Sequence, residues 1–189
     1  MKRGIVIIGA LLSLLMAATQ STGEMKITPE GVTFPNTSTQ TMAAAPPWSQ
    51  LLAGDRFELV LNNNEAVLDK ETGLVWQRNT EDTTYSWLDA CDHCYKLVLG
   101  NRLGWRLPTV EELASLLDPT QPEWEIDLPP GHPFTDVKYD RYWSITTDPN
   151  NTNNAYNIHF GLAVVYGFAK TNPWYYVRCV RGGHGYDGR

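Results

Sequence analysis

The chain has 189 residues, enough for one domain with a leader and a tail, and 42% hydrophobic against 19% charged residues marks a folded chain. A formal net charge of -6 repels nucleic acid and anionic lipid at long range, so neither is an expected partner. The aromatic residues favour those with a polar handle, seven Trp and nine Tyr against five Phe, a set that serves cores and recognition surfaces alike.

Met1-Lys2-Arg3, then an uncharged apolar run from Gly4 to Ala18, predicts a signal peptide over residues 1–21. The run is shorter than the roughly 20 residues of a spanning helix, and no second such run follows, so no membrane span is expected in the mature chain. Cleavage removes Lys2 and Arg3 and no acid, which moves the formal charge from -6 to -8. The expected location is the periplasm, or outside the cell as a secreted or surface protein.

Residues 22–54 read as a linker or an N-terminal arm. Thr33 to Pro47 is rich in Thr, Ser, Ala and Pro and has neither a helical nor a strand period. Phe57, Leu59 and Leu61 then alternate with polar residues, as in a half-buried strand. Ala66 to Asp69 and Leu74 to Gln77 flank Lys70-Glu71-Thr72-Gly73, a connection of hairpin length. Ser86 is a predicted N-cap, and Trp87, Ala90, Cys91, Cys94, Leu97 and Val98 follow on one helical face. Thr109-Val110-Glu111-Glu112 is a capping box before Leu113, Leu116 and Leu117, with Pro108 blocking an earlier start. Residues 118–141 hold five prolines and no period, which predicts a long functional or mobile loop. Strand signals return at Tyr142 to Thr146, Ala155 to Phe160, Ala163 to Phe168 and Tyr175 to Val180, and residues 183–189 read as a flexible tail. The order gives an α+β fold, with two helices on one side of a mostly antiparallel sheet.

Three cysteines in an exported chain imply one bridge and one thiol. A Cys94–Cys179 bridge ties the first helix to the last strand. The rival, Cys91–Cys94, is a C-x-x-C of a redox pair or half a zinc site. A zinc site needs a second ligand pair and a thioredoxin-like site a βαβ unit; neither pattern is present, which favours the first pairing without removing the second.

Several ordered blocks resemble one family. They are Thr72-Gly73-Leu74-Val75-Trp76-Gln77, Tyr85-Ser86-Trp87 with Ala90 and Cys94, Trp105-Arg106-Leu107-Pro108-Thr109 with Glu112-Leu113, Tyr142-Trp143-Ser144 with Thr146, and Val177-Arg178-Cys179-Val180-Arg181. Over residues 55–182 the chain resembles the Lcl C-terminal domain family, a domain of unknown function named for a collagen-like adhesin. The resemblance implies a C-type-lectin-like fold in which a first-helix cysteine pairs with one in the last strand, as Cys94 and Cys179 would. Cys91 is then a buried thiol. It also implies a homo-oligomer, a trimer, and binding of sulfated glycosaminoglycans. The negative charge and the missing collagen-like repeat argue against a polyanion ligand here.

Trp76, Trp87, Trp105 and Trp143 suit a shared core, and Arg106 and Arg178 suit buried carboxylates or carbonyls. Asp127, Asp136, Asp140 and Asp148 match no calcium template, so no metal or other cofactor is expected. The four histidines (His93, His132, His159, His184) have no partner pattern of a hydrolase or metalloenzyme, and only Cys179 stands where formylglycine-generating enzymes, of related fold, have a cysteine pair. The expectation is therefore a non-catalytic binding module of adhesive role for a glycan or protein partner. Its ligand-binding residues are taken from the long loop: Trp124, His132, Tyr139 and Arg141. The alternatives are an assembly subunit of an envelope complex, docked through residues 22–54, and a divergent enzyme.

Overall fold

The computed structural model describes residues 25–28, 31–33, 51–118, 120–122 and 125–182. The expected leader (1–21) and tail (183–189), most of the 22–54 stretch, and Trp124 lie outside these residues. The elements run β1 (Met25–Thr28), β2 (Gly31–Thr33), α1 (Ala53–Arg56), β3 (Phe57–Val60), β4 (Ala66–Asp69), β5 (Val75–Gln77), α2 (Trp87–Lys96), α3 (Val110–Ser115), β6 (Arg141–Thr147), β7 (Asn154–His159), β8 (Val164–Ala169) and β9 (Val180–Arg181). The fold is α+β, built on two antiparallel sheets ordered β2-β1-β8-β7-β6 and β3-β4-β5-β9.

The single sheet expected from the sequence is thus two, and the reason lies in residues 175–181. This segment first runs beside β6, where Trp143 donates its amide to the Tyr176 carbonyl and Tyr176 donates to that of Arg141. It then leaves that edge, and Val180 and Arg181 pair with Trp76 and Val75 of β5. One extended segment joins both sheets, which is why only its last two residues form a regular strand. Within the stretch read as linker or arm, β1 pairs with β2 and also with Val164 and Val165 of β8.

The helix starts follow from local chemistry. The Ser86 hydroxyl accepts the Asp89 amide at the head of α2, and Thr109 and Glu112 close a reciprocal capping box at the head of α3. Arg106 then clamps the same Glu112 with two bonds of 2.7 Å. Ala90 and Cys94 are fully buried on α2 as the spacing predicts, but Val98 lies past the helix end and is exposed. Leu59 is also 37% exposed, on β3 at the edge of the smaller sheet.

Two apolar clusters fill the interior. The first lies among Trp76 and Val67 of the smaller sheet, Leu113, Leu116 and Leu117 around α3, and Tyr142, Ile158 and Val165 of the larger sheet. The second packs Ala90 and Cys94 of α2 against Trp105, Trp143, Ala155, Tyr175 and Cys179. Cys94 and Cys179 are disulfide-bonded and Cys91 is a free thiol, which decides between the two pairings open in the sequence. Cys179 directly precedes β9 rather than lying within it, and Gln77 holds it there by accepting its amide.

Candidate functional site

The segment between α3 and β6 has no helix or strand among its described residues, yet it is anchored to the core. Leu128 and Phe134 are buried, and Asp127 exchanges backbone bonds with Asp118 and Phe160. A concavity of about 480 Å³ opens on its outer side, lined by Gln121, Glu125, Leu128, His132, Val137 and Tyr139 among others. Two of the predicted ligand residues, His132 and Tyr139, therefore meet in one hollow.

Each has a defined support. His132 lies tilted beside Phe134, 5.9 Å between ring centres, with its Nδ1 buried and without a partner; burial, then the charge of Arg178, holds its pKa below the usual histidine value. Tyr139 is 44% exposed and meets His159 edge-on at 5.3 Å between ring centres. Its other support is Gly161, where an added Cβ would fall within 2.1 Å of the ring. Behind the hollow Asp127 is only 3% exposed and one carboxyl oxygen has no partner. Burial raises its pKa to about 6, against the bond it accepts from the Ala163 amide and with help from nearby Asp118.

Arg141 does not line this hollow, contrary to its grouping with the loop residues. It begins β6 opposite His159, and its guanidinium lies 4.9 Å from the ring centre of Tyr166, 5.3 Å from Phe168 and 5.8 Å from Tyr175. The three rings come from β8 and from the final segment, which no local pattern around residue 141 could reveal. Strand alternation settles which residues share its face: Arg141 and Trp143, then Ala155, Asn157 and His159, then Tyr166 and Phe168. Neither Asn157 nor Gly161 stood out in the sequence. The one signal for Asn157 was a polar residue alternating with Ala155 and His159 in a strand otherwise destined for the interior.

A second hollow of about 500 Å³ lies beside α2. There the Tyr85 hydroxyl donates to Glu81 and meets His93 Nδ1 at 3.2 Å, and burial, with Glu81, raises the tyrosine pKa to about 12. These groups satisfy one another. Among the described residues no three His, Cys, Asp or Glu side chains converge as metal ligands, and no helix is long and apolar enough to cross a membrane.

An α+β domain closed by one disulfide, with its irregular loop folded over the core and a polar, aromatic hollow on that loop, is the class of molecule these features define. The chain belongs to the Lcl C-terminal domain family, which matches residues 65–181. Curated proteins offer no match to it.

Proposed function

We propose that this protein is an exported, non-catalytic binding module of C-type-lectin-like fold whose hollow at His132 and Tyr139 takes a glycan. The observation that carries the reading is the Tyr139 ring, exposed yet held in place by Gly161 and His159. A fixed aromatic face ringed by Gln121, Glu125 and His132 combines apolar contact for sugar C–H groups with donors and acceptors for hydroxyls. No calcium is required in this reading. A glycan array run with the mature protein, with and without calcium, tests it: saccharide binding insensitive to chelation and reduced by Tyr139→Ala supports it. Loss of melting temperature in that variant with unchanged capture assigns Tyr139 to core cover instead.

A second reading is an assembly subunit of an envelope complex. It is favoured by large apolar side chains left in solvent, Leu88 and Tyr95 on α2 at 70% and 78% exposure. Stoichiometric co-purification of a partner, lost on substituting Leu88 and Tyr95 by Ser, separates this reading from the first.

A further inference from the structure

We infer that Arg141, with Asn157 and His159, forms a subsite for the carboxylate of an acidic sugar residue. This deepens the glycan reading above and rests on it.

Among the described residues Arg141 is a half-buried cation without an anion. Its Nε is buried with no acceptor, and no carboxylate of the described residues pairs with its guanidinium. The three aromatic rings hold the planar group in place but offer it no lone pair. Buried polar groups in folded proteins find partners almost without exception, so each orphan points to a ligand or water.

Asn157 is the second such group, and the sheet places it next to the first. Strand β7 lies between β6 and β8, so a guanidinium that starts at Arg141 on β6 and reaches Tyr166 and Phe168 on β8 crosses over β7. The residue of that face paired with Tyr166 is Asn157. It is fully buried, and neither its amide nitrogen nor its amide oxygen has a partner.

His159 completes the set. Its Nδ1 accepts the Gly161 amide at 3.1 Å, so the neutral ring carries its proton on Nε2 and presents a donor. Burial, then the charge of Arg141, keeps the ring neutral by lowering its pKa. His159 also touches Tyr139, so the proposed glycan hollow and Arg141 meet at this one residue. The donors of Arg141, Asn157 and His159 favour an acceptor with two oxygens in one plane, which a carboxylate supplies to a guanidinium fork.

The test titrates the intact mature protein with a uronate-containing oligosaccharide, the same oligosaccharide after carboxyl reduction, and a sulfated neutral oligosaccharide. Carboxyl reduction is expected to weaken binding about 10–100-fold, as loss of a charge-assisted pair does. Arg141→Gln should remove that difference, so that the variant binds the uronate and its reduced form alike. Equal binding of the uronate and its reduced form overturns the subsite but leaves the glycan reading intact, and needs no variant to fold. Equal or tighter binding of the sulfated neutral sugar also overturns it, as an anion site without carboxylate selectivity. Failure of all three sugars to bind overturns the subsite, and together with an empty glycan array it overturns the glycan reading as well.

Discussion

Tyr139 lies against the bare backbone of Gly161, so that a Cβ at Gly161 would fall 2.1 Å from the tyrosine Cε2. No side chain fits there without moving the ring. The backbone at Gly161 is not in the left-handed region, so alanine is compatible with the local chain path. Gly161→Ala is expected to reduce glycan capture as much as Tyr139→Ala does, with only a few degrees lost in melting temperature. Calorimetry and array binding on the two variants check this together. Full capture by Gly161→Ala would remove Tyr139 from the site.

The Cys94–Cys179 bridge closes a span of 85 positions. In the chain-entropy account a loop of that size contributes about 4–5 kcal/mol. The double variant Cys94→Ala, Cys179→Ala is expected to melt roughly 10–20 °C lower than the parent. Cys91→Ser should change little, because that thiol is unpaired and burial, as the largest influence, pushes its pKa up to about 11. Thermal melts under non-reducing conditions distinguish the two; a Cys91→Ser loss as large as the double variant's would contradict the pairing.

Asp127 sets a pH dependence of stability. Its folded pKa, about 6, stands above the ordinary carboxyl value because of burial. A raised folded pKa means the protonated form is the one the fold prefers, so its contribution is complete below about pH 4 and is lost as pH rises through 6. Asp127→Asn is expected to stabilise the protein by about 1–3 kcal/mol at pH 7.5 and by nothing measurable at pH 4. Denaturant titrations at both values read the difference. A gain of the same size at pH 4 would show that the carboxyl charge is not the cause.

Arg178 is fully buried and binds the carbonyls of Gln77 and Arg78 at 2.7 and 2.8 Å and the Thr80 hydroxyl, while lying 4.7 Å over the Phe134 ring. It fixes the end of β5 and the anchor of the long loop at once. Lysine keeps the charge but cannot fork, so Arg178→Lys is expected to cost about 2–4 kcal/mol. Chemical denaturation measures it; a loss below 0.5 kcal/mol, on the order of an exposed site, would show that lysine replaces the fork.

What the sequence made legible follows the range of the physics involved. Caps at Ser86 and Thr109 were readable because donor and acceptor lie three residues apart. The burial of Trp76, Trp105 and Trp143 and the carbonyl-binding role of Arg178 were readable from residue type and block order, but the expected shared core is divided: Trp76 lies in the first cluster, Trp105 and Trp143 in the second, and Trp87 is half-buried against that one. The second sheet was not, because the 175–181 segment has one continuous strand pattern and changes partners midway. Arg141 was singled out but set beside the wrong neighbours, since Tyr166, Phe168 and Tyr175 reach it only through the sheet. Asn157 gave only the faint signal of its alternation with Ala155 and His159, because a polar residue in a strand reads as solvent-facing until the layer above it is known.

The covalent link between α2 and the chain's final segment has a consequence for damage. Every residue from Tyr95 to Arg178, the irregular loop included, belongs to a single macrocycle. A protease that nicks the loop opens that ring without releasing a fragment, so the cut molecule keeps its mass until a reductant arrives. A protein built this way can lose a peptide bond within that loop and still hold both halves of its surface in register.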